Sequence, residues 1–203
     1  MYSIRSGLIL GFHGCDRSVA QKVLNGENML KSSANKYDWL GSGIYFWENS
    51  PARALEFAEH LRQNPQKSKG TITEPAVIGA VIHLGFCLDL LDYANLLLLK
   101  ESYDTMLAYN KTSFLPQNKN VKGFEGLLLR ELDCAVIETL HTLRAVYEQS
   151  PFDSVRGMFS EGKEIYPNAG FRDKDHIQIC IRNPNCIKGF FLPRELDLSY
   201  PKI

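Results

Sequence analysis

The chain has 203 residues, enough for one domain with a substantial core of its own. Its 44% hydrophobic and 23% charged residues match an ordinary globular protein. Lys+Arg and Asp+Glu stand at 23 each, which argues against attachment to nucleic acid through a global basic field but leaves a local basic groove open. The five cysteines, Cys15, Cys87, Cys134, Cys180 and Cys186, are odd in number and contain no C-x-x-C pair. They support neither a disulfide framework nor a zinc site. Four of them adjoin apolar runs, where a free thiol behaves as a small hydrophobe, and a reducing, cytoplasmic setting is expected. Arg5 followed by a short apolar run that His13 interrupts makes a poor signal peptide. No stretch nears the ~18 apolar residues of a membrane span, so a single domain over residues 1–203 without a membrane partner is expected.

In chain order, Leu8, Ile9, Leu10 and Phe12 predict a short buried strand over 7–13. Asp16 is placed to cap a short helix, Ser18 to Leu24, which Gly26 stops. Residues 27–38 are polar and irregular. Gly43 to Trp47 predict a second strand, and Asn49-Ser50-Pro51 opens a helix through Leu61 with Ser50 as its cap. A basic loop covers Asn64 to Gly70. The β-branched run Ala76 to Leu90, broken by Gly79 and Gly85, predicts one central strand with a bend. Tyr93 to Tyr109 and Phe124 to Tyr147 predict helices, the second with Leu129, Leu132, Val136, Leu140, Leu143 and Tyr147 along one face. The loop between them carries Lys111, Lys119 and Lys122. Val155 to Phe159, Ile177 to Ile181 and Ile187 to Leu192 predict three late strands. Strands at both ends with helices between them point to an α+β class.

Three stretches carry chemistry. His13-Gly14 sets an imidazole and bare backbone at the end of an apolar run, although a turn histidine is the plain structural reading. Gly41-Ser42-Gly43-Ile44-Tyr45-Phe46 lets backbone approach something closely ahead of an aromatic hydroxyl. It is no Rossmann fingerprint, because the third glycine is missing and a strand follows where a helix should. A tight turn into a core strand is its plain reading. No P-loop lysine motif and no His-Glu-x-x-His is present, and no metal is expected. In the third stretch, His176 and Gln178 alternate with Ile177, Ile179 and Ile181, which gives a half-buried strand with one wet face, as any edge strand has. Asp133, among apolar helix positions, is expected to be structural, through Arg130 or a loop backbone.

Together these motifs resemble the NAD-binding halves of the ADP-ribosyltransferase superfamily, in its diphtheria-toxin and poly(ADP-ribose) polymerase branch. The resemblance covers roughly residues 7–61 and 154–193. It implies a split β-sandwich with flanking helices, with NAD as co-substrate in the cleft between two small sheets. The family's His-Gly dipeptide holds the adenine-side ribose and the nicotinamide amide, roles that fall to His13 and Gly14 here. Gly43 then lies beside the ligand, Tyr45 walls the nicotinamide pocket, and a second aromatic from the next helix falls near Phe57. Ser42 and the Tyr37–Trp39 approach are expected to line the same site.

The resemblance departs from the family at the third motif. Relatives carry a catalytic Glu on a late strand; here Gln178 falls on that position, with His176 two residues before it. Cleavage of the nicotinamide–ribose bond develops positive charge on the sugar, which a nearby carboxylate stabilises. A glutamine amide hydrogen-bonds the 2′-hydroxyl but supplies no full charge. Two alternatives follow. Either Gln178 positions the ribose while Glu161 or Glu164 reaches in from the preceding loop, or the chain binds NAD or ADP-ribose without efficient transfer. The resemblance implies mono-ADP-ribosyl transfer to an unidentified protein, RNA or DNA with release of nicotinamide. A toxin or defence effector, with an antitoxin or inhibitor as its partner, would suit such a domain. A non-catalytic binding module and an NAD glycohydrolase stay as rivals.

Overall fold

The computed structural model describes residues 7–67, 70–109, 114–120 and 128–201. Strand β1 (Ile9–Asp16) extends beyond its apolar run through His13, Gly14 and Cys15. Asp16 then caps α1 (Arg17–Leu24), its Oδ1 accepting from Ser18 N at 3.0 Å. Its Oδ2 accepts from Thr73 N at 2.7 Å and Glu74 N at 3.0 Å, so the carboxylate's buried charge is well satisfied. Strand β2 (Ile44–Glu48) leads into α2 (Pro51–Gln63). Ser50 makes no side-chain capping bond, contrary to expectation; Pro51, with its pre-set φ, opens the helix instead.

The run expected as one bent strand is two strands, β3 (Pro75–Ile82) and β4 (Cys87–Asp89). Gly85, in the left-handed region at φ +63°, turns the chain between them, and Phe86 N donates to Asp153 Oδ2 at 2.8 Å. Helix α3 (Tyr93–Tyr109) follows as expected. The next helix, α4 (Glu131–Val146), starts later than the sequence suggests. Leu129–Arg130 form a short strand, β6, paired with β5 (Asn118–Lys119), so Leu129 is not part of the helical stripe. Asn118 Oδ1 accepts from Leu132 N and Asp133 N at 2.9 and 3.2 Å, which fixes the helix start. Residues 124–127, expected to be helical, lie outside the described residues, as do Lys111 and Lys122. Asp133 has the structural role expected of it, accepting from Asn118 Nδ2 at 2.7 Å and lying 3.4 Å from Arg130 Nη1.

Strands β7 (Ser154–Phe159), β8 (His176–Ile181) and β9 (Ile187–Phe191) complete a seven-stranded sheet of order β4-β7-β8-β2-β1-β3-β9. Pairing is antiparallel except between β4 and β7. The class is α+β, and all seven strands join in one sheet. The β1–β2 seam is thin, however. Its register runs only through Gly11–Glu48 and Phe12–Trp47, whereas β1 and β3 pair along their whole length.

On one face, Ala20 and Val23 of α1 pack with Phe46, Ile78, Ile82, Ile179 and Ile181. On the other face, α2 covers β1 through Ala54, against Phe12 and Trp47. Helix α4 covers β7 and β8 through Ile137 and Leu140, against Val155 and Cys180. Cross-strand partners share a face, so Tyr45, Trp47, Gln178, His176 and Phe159 form a stripe on the side that carries α2 and α4. Arg156, 2% exposed, points to the opposite side. Its Nε lies 2.5 Å from Glu48 Oε2 and its Nη1 3.1 Å from Asp89 Oδ1, which ties β7 to β2 and β4. All five cysteines are free, and four are buried. Among the described residues, no helix is long and apolar enough to cross a membrane.

Candidate functional site

Backbone polar groups alternate between a strand's two neighbours. Asn49 N donates to Leu10 O at 3.0 Å, so Leu10, Phe12 and Gly14 turn their groups toward β2, while His13 and Cys15 face β3. A continued ladder would pair Gly14 with Tyr45. Instead, His13 Nδ1 lies 2.8 Å from the Tyr45 carbonyl oxygen. A carbonyl only accepts, so Nδ1 carries the proton, and burial lowers the ring's pKa and keeps it neutral. Nε2 is then a lone-pair acceptor suited to a hydroxyl donor. Gly14 N–H, deprived of its ladder partner, faces the gap between the strands.

Gly14 has a second reason to be glycine. A Cβ there would lie 2.0 Å from the Ala54 carbonyl oxygen and 3.2 Å from Ala58 Cβ. Two alanines one turn apart bring α2 down onto the strand at this point, over the end of the seam. Gly43 is also explained by packing. A Cβ there would meet Cys180 Sγ at 2.5 Å and Ile181 O at 2.6 Å, so the close approach it permits is to β8. Ser42 N donates to Glu138 Oε1 at 2.7 Å, and Arg182 Nη1 joins the same carboxylate at 2.7 Å, which anchors the loop ahead of β2 to α4.

Tyr45 lies beside the His13 bond through its backbone, but its hydroxyl is turned away. It donates to Gly41 O at 2.7 Å and accepts from Leu40 N at 2.9 Å, and burial pushes the phenol well above its usual pKa. The side chain therefore braces the 38–43 loop. Phe57 is 40% exposed, and its ring packs 5.0 Å from that of Trp47. Among the described ring contacts, Tyr45 and Phe57 do not form the two walls of one slot.

Gln178 is half-buried, in register with Trp47 on one side and Gly157 on the other. The His176 side chain is 1% exposed. Its Nδ1 donates to Lys174 O at 2.6 Å, burial lowers its pKa, and its Nε2 is enclosed without a partner. The rings of Trp39 and Trp47 stand 6.1 and 6.3 Å away. Of the two glutamates on the preceding loop, Glu164 accepts from Asn168 N at 3.0 Å and serves its own turn. Glu161 points inward, with Oε2 3.0 Å from Arg53 Nη2 and 4.0 Å from His176 Nδ1, and burial raises its pKa. Lys174 Nζ, 2.5 Å from Glu56 Oε1, ties the same loop to α2 a second time.

Sequence reasoning missed Trp47 and Arg53. The available signal was the i,i+4 spacing of Arg53 and Phe57, which puts both on the helix face that meets the aromatic strand β2. A cavity of about 310 Å³ opens among Asn35, Ser42, Cys134 and Glu138, and none of His13, Tyr45, Gln178 or Glu161 lines it.

No family model and no solved structure matches the chain. A protein of Methanocaldococcus jannaschii described as uncharacterized is 26% identical over 196 residues, covering 87% of this chain and 83% of the relative. That likeness spans most of both chains and brings no activity with it.

Proposed function

We propose that the chain binds NAD at the β1–β2 seam and transfers a single ADP-ribosyl group to a protein or nucleic-acid acceptor, as an ADP-ribosyltransferase-like variant of the split sandwich. The observation that carries this reading is the diverted hydrogen bond from His13 to Tyr45 O. It leaves a backbone N–H at Gly14 and, beside it, a neutral imidazole whose Nε2 accepts. That pair of groups suits the carbonyl of a carboxamide and the hydroxyl of a ribose. Glu161 supports the chemical half of the reading, since it brings a carboxylate to the face of β8 that carries Gln178. In the reaction, the C–N bond to nicotinamide breaks and its electron pair leaves with the ring. The acceptor's nucleophile attacks the sugar carbon and loses its proton, while the carboxylate stabilises the cationic sugar. Tyr45 contributes by fixing the 38–43 loop, and Gln178 by hydrogen-bonding the ribose.

Incubation with labelled NAD and a lysate, followed by separate protease and nuclease digestion, tests the proposal and names the acceptor class. Calorimetry with NAD and ADP-ribose measures binding. His13→Gln should lose affinity while remaining folded. An absence of binding by the wild-type chain would overturn the reading. Because Gln178 falls where the family that the motifs resemble carries Glu, binding without transfer is the second reading, and it is chosen by affinity with neither nicotinamide release nor labelled product. Nicotinamide release alone would point to NAD hydrolysis.

A further inference from the structure

Arg53 lies in the first turn of α2, and its side chain is 15% exposed. Its Nη1 pairs with Glu56 on the same helix, and its Nη2 reaches Glu161 on the loop ahead of β8 at 3.0 Å. The Nε of Arg53 is enclosed without a partner, as are Trp47 Nε1 and His176 Nε2. Buried polar atoms are normally paired, so three in one neighbourhood mark a place that a bound group or water completes. From His176, Gln178 follows two residues on, about 6.6 Å along the same face. We infer that Arg53 is a positioning residue of the proposed site, holding the Glu161 carboxylate beside His176 on the face of β8 that carries Gln178. The inference rests on the transfer reading given above.

The electrostatic surroundings of Glu161 fix the direction of the effect. Burial favours its protonated form. Arg53 opposes burial most strongly, followed by Lys174 and, less, by Arg130 from β6, while Glu56 adds to it. His176 is neutral, and Asp175 is engaged by Ser160 Oγ and Arg172 N. Without Arg53 the unfavourable burial remains and its main counterweight is gone, so Glu161 takes up its proton at higher pH. The Lys174–Glu56 pair keeps the loop attached to α2 in such a variant.

Carbon-13 NMR of the glutamate carboxyls, with Glu161→Gln supplying the assignment, measures the titration without any turnover. Arg53→Gln should raise the Glu161 midpoint by roughly one pH unit or more, the scale of losing an opposite charge at contact, and Arg53→Lys should restore part of it. The acid limb of nicotinamide release should move by the same amount, with kcat reduced and KM nearly held. An unchanged midpoint in folded Arg53→Gln overturns the inference, as does a moved midpoint with an unmoved acid limb. If the wild-type chain releases no nicotinamide, the transfer reading fails on its own, and the carboxyl midpoint still decides whether Arg53 governs Glu161.

Discussion

Which donor holds the Tyr45 carbonyl decides whether β1 and β2 form a closed ladder or an open seam. With His13 Nδ1 at 2.8 Å, the Gly14 N–H is left facing the gap, while the N–H groups of His13 and Cys15 face β3. Amide exchange followed by NMR should therefore show Gly14 exchanging much faster than His13 and Cys15. In His13→Ala the carbonyl is released to Gly14, the ladder can extend by one pair, and protection at Gly14 should rise. ADP-ribose or NAD should also slow Gly14 exchange in the wild-type chain. Equal protection at all three positions without ligand would mean that the ladder is closed. Gly14→Ala is a poorer probe, because its Cβ would strike the Ala54 carbonyl and report helix packing before chemistry. The same double duty limits what the sequence could say. The His-Gly pair is visible as a motif, and so is Gly43, but the packing that requires Gly43, against the Cys180 sulfur, lies far away in the sequence.

At the level of elements, β7 depends on a buried charge that no apolar pattern announces. Arg156 sits mid-strand, with Glu48 at the end of β2 and Asp89 on β4 as its partners. Replacing it by Met keeps most of the volume but leaves two carboxylates enclosed without their cation. A loss of about 3–5 kcal/mol in unfolding free energy is expected, the range for breaking one side of a buried pair. Urea denaturation at neutral pH measures it. A loss below about 1 kcal/mol would show that water or other donors already satisfy Glu48 and Asp89. Strands β1, β2, β7, β8 and β9 were legible because their alternation or apolar runs survive without knowledge of neighbours. The 76–90 run was not, since an apolar run carries no mark of the left-handed turn at Gly85 or of which sheet edge its second half joins. The start of α4 was hidden likewise, because Asn118, which fixes it, lies 14 residues from Leu132. Glu161 could be nominated from its loop. Its actual neighbour, Arg53, comes from a helix 108 residues earlier, and no local pattern relates the two.

For the whole molecule, the question is whether a thin seam divides the fold into two units. The backbone register narrows to two pairs between β1 and β2, yet the side chains beneath it do not part. Phe46 of β2 and Ile179 and Ile181 of β8 share one core with Ile78, Ala80 and Ile82 of β3, and all six are essentially enclosed. Apolar burial is non-directional and continuous here, so it couples the halves where hydrogen bonding does not. The seam is thus a gap in the ladder over a shared core, which leaves polar backbone facing the gap. Trp39 precedes β2 and packs on Phe159 of β7, while Trp47 of β2 packs across the seam on Phe12 of β1, so fluorescence reports the β2 side and the seam, and far-UV circular dichroism reports the whole fold. The two signals should follow one urea transition with a shared midpoint. Phe46→Ala, a cavity on the β2 side of the seam, should lower that shared midpoint by the equivalent of about 3–5 kcal/mol and keep the signals coincident. If the fluorescence midpoint moved alone, the β1–β3–β9 half would be folding independently, and the seam would be a boundary between two units.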